Sequence, residues 1–307
     1  MKILVTGGTG MVGKALKEAL PDALYASSSD YDLRIKHRTR AMFKKHQPDA
    51  VIHLAARVGG VKANTDYVAD FYDDNVQINT NVLSCAKEYE TSKVVSLLST
   101  CVYPDDAIYP LTEEQVHNGE PHNSNFGYAY AKRMLDVQSR ALRRQYGCNF
   151  ITAIPNNLFG KNDNFHLENS HVIPAIIRKV YEAKLGNKNV VLWGDGSPLR
   201  EFTYSRDLAD ILLFLLEHYN GSGPINVGNT KEFSIKEVAE MVVDIMEFDG
   251  DIIWDTSKPT GQYRKPSDNS KLIKLGWREE NYTYFRKALT ETCKWVILTY
   301  PNMRGIV

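Results

Sequence analysis

The 307-residue chain is 43% apolar and 24% charged, a balance that suits one large or two smaller buried cores and excludes disordered and fibrous classes. Its 37 Lys and Arg offset 37 Asp and Glu, so no overall field draws nucleic acid or an anionic membrane, and phosphate recognition has to be local. Cys85, Cys101, Cys148 and Cys293 are scattered without a CxxC pair, no uncharged run approaches the roughly 20 residues of a membrane span, and no metal-ligand cluster stands out. An apolar strand directly after Met1 and Lys2 leaves no room for a signal peptide, so a cytoplasmic protein is expected.

Residues 2–6 form a short apolar run, followed by glycines and an amphipathic stretch at 11–20, which predicts strand, tight turn and helix. Further short apolar runs at 23–26, 50–55 and 94–99 read as buried parallel strands, with helical patterns at 39–45 and 76–89 between them. A helix over 128–146 and a strand over 149–154 follow, ending at Pro155. Strands alternating with helices predict an α/β fold with a doubly wound parallel sheet. From Asn156 the signals become irregular and the loops richer in Gly, Pro and Asn, as at 193–198 and 258–266, which predicts a second, smaller domain. The apolar helix at 207–219 and the strand at 224–227 return to the sheet. The expected division is therefore 1–155 plus 205–229 for the sheet domain and 156–204 plus 230–307 for the substrate domain. Ser234 and Glu237 form a capping box opening a helix to Met246, and 285–300 is a terminal amphipathic helix.

Gly7, Gly10 and Gly13 form GxxGxxG between the first strand and the first helix, where a side chain would keep a pyrophosphate from the N–H groups of the helix N-terminus. The second strand ends in Ser27, Ser28 and Ser29 instead of the Asp or Glu that bonds an NAD ribose and would repel a 2′-phosphate. NADPH is therefore the expected cofactor, with Arg34 and Arg57 as the nearest cations for its phosphate.

Tyr128 and Lys132 are four apart on one predicted helix and share a face. A phenol titrates near about 10, and a neighbouring ammonium stabilises its anion, so the pair can trade a proton with a carbonyl. Ser99, at the carboxyl end of the preceding strand, can bond the same oxygen. These motifs in register point to carbonyl reduction.

Residues 99–104 (STCVYP), 117–132 (HNGEPHNSNFGYAYAK), 163–166 (DNFH), 170–174 (SHVIP) and 193–205 (WGDGSPLREFTYS) resemble the GDP-L-fucose synthases of the extended short-chain dehydrogenase/reductase family, over nearly the whole chain. The resemblance implies a Rossmann-type sheet domain with a smaller α/β substrate-binding domain. It also implies that GDP-4-keto-6-deoxy-D-mannose is epimerised at C3 and C5 and reduced at C4 by NADPH to GDP-L-fucose. Cys101 and His171 match the two further catalytic groups. The C4 ketone acidifies C3 and C5, so inversion needs a base on one face and an acid on the other, with Cys101 expected as base and His171 as acid. Around the cofactor the resemblance adds Met11, Val12, Leu54, Ala55, Pro155, Asn157, Leu158 and His171; around the sugar nucleotide it adds Ser99, Cys101, Asn157, Lys179, Trp193, Arg200 and Lys265. Lys179 stands where relatives often carry Arg, and Thr260 where some carry a substrate-touching Asp. Thr100 and Cys101 replace the Asp-Glu pair of sugar-nucleotide 4,6-dehydratases, which disfavours dehydration. A UDP-sugar 4-epimerase remains the nearest enzymatic alternative and an NADP-sensing binding protein the alternative of another class. Relatives are typically homodimers joined through the helices at 76–89 and 128–146; apolar Val76, Val82, Leu83, Met134, Leu135, Val137 and Leu142 serve either that surface or the core.

Overall fold

The structure is a computed structural model and describes residues 1–257 and 263–306. Thr260 lies outside the described residues. In chain order, β1 (Ile3–Thr6) leads to α1 (Met11–Ala19), β2 (Leu24–Ala26), α2 (Lys36–His46) and β3 (Ala50–His53). Next come α3 (Val61–Asp66), α4 (Val68–Glu88), β4 (Lys93–Leu97), α5 (Phe126–Tyr146) and β5 (Asn149–Pro155). β6 (Asn157–Phe159), α6 (Val172–Gly186), β7 (Val190–Trp193) and β8 (Leu199–Tyr204) precede α7 (Ser205–His218) and β9 (Ile225–Val227). β10 (Glu232–Ser234), α8 (Ile235–Ile245), β11 (Ile252–Asp255), α9 (Ser270–Lys274) and α10 (Phe285–Thr299) complete the series.

The large sheet is parallel throughout and ordered β2-β1-β3-β4-β5-β9. The chain moves outward from β1 to β2 and then crosses back to β3, so the winding reverses between β1 and β3, the place where such sheets bind ligands. Successive strand residues face opposite sides. Ile3 and Val5, Ala50 and Ile52, Ile151 and Ala153 pack on one face with α1 and α7. Leu4, Val51, Val94 and Phe150 pack on the other with α2, α4 and α5. Burial on both faces explains why these strands read as continuous apolar runs, and it bears out the doubly wound sheet.

A third core is separate from these two. A three-stranded sheet ordered β10-β8-β6 and a parallel pair of β11 and β7 are covered by α6, α8 and α10. Phe159, Ile173, Ile177, Phe202, Val238 and Leu289 fill it. Leu272 of α9 and Trp277 after it pack instead against α7 and the large sheet. The capping box is present: Glu237 N–H donates to Ser234 Oγ at 3.1 Å and Ser234 N–H to Glu237 Oε2 at 2.7 Å.

Three helices differ from the sequence expectation for one reason. The first turns of α4 carry exposed Asp70 and Asp73 and bury only Phe71 and Asn75, so no apolar period marks its start at Val68. α2 likewise begins in exposed Lys36 to Arg38, and α3 buries only Asn64.

Candidate active site

β1 ends at Thr6, and Gly7 turns the chain at a φ of +72°, a region that favours glycine. A Cβ on Gly13 would lie 2.7 Å from the Gly8 Cα and closer still to the Gly7 carbonyl oxygen, so α1 can approach the turn only with glycine there. No side chain caps α1 at Gly10, and the first-turn N–H groups at Met11, Val12 and Gly13 suit an anion.

This turn closes one end of a cavity of about 890 Å³ lying beyond the carboxyl ends of β1 to β5. Beyond β2 its wall is Ser28, Tyr31, Asp32 and Arg34; beyond β3 it is Leu54, Ala55 and Arg57. Past β4 the wall continues with Ser99 and Cys101, and α5 adds Tyr128 and Lys132. Pro155, Asn157, Leu158 and His171 close the far side. A cleft at the carboxyl ends of the strands that includes a glycine cradle at a helix N-terminus fits a dinucleotide. Ser29 is the exception among the expected cofactor residues. It is not on the wall; its Oγ bonds Ser27 Oγ at 2.7 Å within a turn that Asp30 fastens by accepting from Ser27 N–H and Oγ–H.

Both arginines named from the sequence reach the cavity and converge on one carboxylate. Arg34 Nη1 is 3.3 Å and Arg57 Nη1 2.9 Å from Asp74, and Asp32 holds Arg34 from its other side at 2.8 Å. Phe71 lies under the Arg57 guanidinium, 5.0 Å to the ring centroid, and meets the Tyr128 ring edge-on at 6.4 Å.

Ser99 begins a single 3-10 turn, Thr100–Val102, and its Oγ accepts from Cys101 N–H at 3.5 Å. Lys132 is 3% exposed, donates to the Leu97 carbonyl at 2.7 Å and places its ammonium 5.7 Å from the Tyr128 ring centroid. The expected serine, tyrosine and lysine thus line one cavity with Cys101 and His171.

Their electrostatics are dominated by burial. Desolvation pushes the Lys132 ammonium down to about 8 and the Tyr128 phenol well above its usual range. Burial also raises the Cys101 thiol, against the Ser99 hydrogen bond and the charges of Lys265 and Lys132, which favour the thiolate. His171 caps α6 without using its ring to do so; burial, then Arg304, lower its imidazole. The resting pair is therefore thiol and neutral imidazole. Both shifts run against the expected roles of Cys101 as base and His171 as acid; the Ser99 hydrogen bond and the charges of Lys265 and Lys132 are what favour the thiolate.

The residues expected at the nucleotide end lie outside the cavity wall. The Lys179 ammonium is 5.8 Å from the centroid of exposed Trp193 and donates to the Val191 carbonyl at 2.9 Å. Arg200 donates to the carbonyls of Leu199 and Tyr263 at 2.7 and 3.3 Å. Lys265 joins the two regions, since its charge acts on both Cys101 and Arg200. Sequence reasoning missed Asn64, Asp163, Asn169 and Arg304 on the cavity wall. Asp163 carried a signal, the DNFH segment; Arg304 carried none.

A family model described as the NAD dependent epimerase/dehydratase family matches residues 3–228. The chain belongs to that family. Within the epimerase/dehydratase family it is 45% identical to a GDP-L-fucose synthase of Dictyostelium discoideum, over 98% of this chain and 97% of the relative. Among solved structures it is similar to a GDP-L-fucose synthetase from Naegleria fowleri bound to NADP, with 41% identity and a TM-score of 0.91. That match covers 98% of this chain and 94% of the other. A GDP-D-glycero-L-gluco-heptose synthase of Campylobacter jejuni, solved in the presence of NADPH, is 29% identical with a TM-score of 0.90, covering 96% and 98% of the two chains.

Proposed function

We infer that this family member is an NADPH-dependent enzyme acting on a GDP-sugar, converting GDP-4-keto-6-deoxy-D-mannose to GDP-L-fucose by epimerisation at C3 and C5 and reduction at C4. The observation that carries this reading is the convergence of Cys101 and His171 on the cavity that also holds Ser99, Tyr128 and Lys132. Reduction alone needs only the latter three. When bound, the nicotinamide supplies a hydride to C4.

The chain's own residues do the rest. Tyr128 gives its phenolic proton to the C4 oxygen, which Ser99 holds, and the nearby Lys132 ammonium compensates the charge left on the phenol. Cys101 and His171 exchange protons at C3 and C5. Gly7, Gly10 and the first turn of α1 hold the pyrophosphate, Ser28 faces the adenosine ribose, and Arg34 or Arg57 receives the 2′-phosphate. Leu54, Ala55, Pro155 and Leu158 enclose the dinucleotide, and Asn157 stands where cofactor and sugar meet. Lys179, Trp193, Arg200 and Lys265 hold the GDP portion, with the aromatic ring for the base and the cations for the diphosphate.

Residues 1–155 with 205–229 are proposed as the cofactor domain, and 156–204 with 230–307 as the substrate domain, α9 being the piece of the second that packs on the first. A homodimer is proposed through α4 and α5, which lie side by side. Of the apolar residues named for it, Val82, Leu83 and Leu135 are buried in the core, whereas Met134 and Val137 are each 40% exposed. All four cysteines are free, which suits a reducing, cytoplasmic setting, and no helix among the described residues is long and apolar enough to cross a membrane.

Purified protein is incubated with NADPH and GDP-4-keto-6-deoxy-D-mannose, NADPH absorbance is followed and the product sugar identified by NMR. GDP-L-fucose is the expected product. GDP-D-rhamnose would mean reduction without epimerisation and would remove Cys101 and His171 from the chemistry; no NADPH consumption would favour the UDP-sugar 4-epimerase reading.

A further inference from the structure

Where the loop after β6 meets the catalytic end of the cavity, one side chain is placed oddly for a structural acid. Asp163 is 6% exposed and lies on the cavity wall, as does His171. Its Oδ1 accepts from the Asn164 N–H at 2.7 Å, but its Oδ2 is buried with no partner in the protein. No ion pair to it forms among the described residues, although Arg304, on the same wall, acts on it from farther off. Buried carboxyl oxygens in folded proteins almost always have partners, because an unmet one forfeits its hydration.

We propose that Asp163 is a substrate-binding residue of this active site, whose Oδ2 bonds a hydroxyl group of the hexose held between Cys101 and His171. This rests on the GDP-sugar reading above. Asp163 lines the cavity, and Oδ2 is the oxygen left for a ligand there, since Oδ1 is already committed to the backbone. Chemistry chooses the hexose over the two other ligand portions. An ionised carboxylate repels the phosphates of a dinucleotide or of GDP, while a hydroxyl can donate to a carboxylate or accept from a carboxylic acid. Burial pushes Asp163 up to about 7, so both forms occur near neutrality and both can hold a hydroxyl. The same wall carries a second unmet polar group. Asn64, on the same wall, has a buried Oδ1 without a protein partner, while its amide group donates to the carbonyls of Gly59 and Gly60 at 2.8 and 3.0 Å. Gly60 N–H in turn donates to the Asn169 carbonyl at 3.2 Å, which fastens that corner to the Asp163 loop.

The test compares Asp163→Ala and Asp163→Asn in the full chain, reading KM for GDP-4-keto-6-deoxy-D-mannose beside the Kd values for NADPH and for free GDP. Losing one hydrogen bond to the hexose should raise KM about tenfold in D163A, with both Kd values unchanged. D163N keeps a donor and an acceptor in the same shape and should stay within about threefold of wild type. An unchanged KM in D163A overturns the proposal. Equal damage in D163A and D163N also overturns it, because the charge of Asp163 would then be what matters. Weaker NADPH or GDP binding in either variant does the same. Absence of turnover in the wild-type protein would instead sink the GDP-sugar reading itself.

Discussion

Lys132→Met separates the cost of the buried ammonium from its use. Lys132 is 3% exposed and its ammonium is pushed from the usual value of 10.5 down to about 8 by desolvation. At about 1.4 kcal/mol per pKa unit, holding the charge inside the folded chain costs about 3 kcal/mol at neutral pH relative to the unfolded chain. As pH rises through about 8 the folded protein releases this proton while the unfolded chain still keeps it, so the penalty fades toward the unfolded value. From pH 7 to pH 9.5 the wild type should therefore gain about 2 kcal/mol of stability over K132M. Packing changes and the lost bond to the Leu97 carbonyl are nearly constant with pH and cancel in this difference. Urea unfolding of both proteins at the two pH values reads it directly. A gap between the proteins that does not change with pH would refute the buried ammonium. The same titration should make reduction by the wild type fall as pH rises above about 8, because a neutral amine no longer offsets the charge left on Tyr128.

Tyr128→Phe should lower NADPH oxidation by about a hundred to ten thousand fold while leaving the Kd for NADPH unchanged; normal turnover would remove Tyr128 from the proton path. Cys101→Ala should abolish deuterium incorporation at C3 and C5 from heavy water and keep NADPH affinity, a result read by NMR of the recovered sugar nucleotide. Gly13→Ala places a Cβ 2.7 Å from the Gly8 Cα, so α1 must back away from the turn. NADPH binding should weaken by at least about 1.4 kcal/mol, tenfold in Kd, measured by cofactor fluorescence; an unchanged Kd would show that the turn does not grip the pyrophosphate.

The sheet was readable from the sequence because burial on both faces writes itself as unbroken apolar runs, and the runs ending at Thr6, His53 and Leu97 are such runs. The glycine turn and the Tyr128 to Lys132 spacing were readable because backbone geometry allows few residues at those places. What escaped notice lies where the chain's polarity hides its structure. The start of α4 presents aspartates to solvent, yet Asp74 there is the carboxylate on which Arg34 and Arg57 converge. Arg304 is tied beside the cavity by long-range bonds, Phe165 N–H donating to its carbonyl at 2.9 Å across 139 positions and Arg178 Nη1 donating to the Phe165 and Gly305 carbonyls, which no local pattern encodes. Three serines in a row look alike in the sequence; the structure puts Ser27 and Ser28 on the cavity wall and leaves Ser29 off it, bonded to Ser27 Oγ.

One residue separates the two sheets. β5 ends at Pro155 and β6 begins at Asn157, and the intervening Asn156 is 7% exposed. Its amide donates to Glu201 and to the Asn229 carbonyl at 3.2 and 2.8 Å, and its Oδ1 accepts from Thr203 Oγ1 at 2.6 Å. Such a crossing is a splice and not a hinge. With no slack between the strands, the walls at Pro155 and Asn157 shift together or not at all, and the N–H groups of Ile154 and of Asn156 to Phe159 should be among the slowest in the chain to exchange with solvent. Motion that admits a bulky ligand then falls to the loops around the mouth, while the Asn156 bonds keep Pro155 and Asn157 at a fixed spacing.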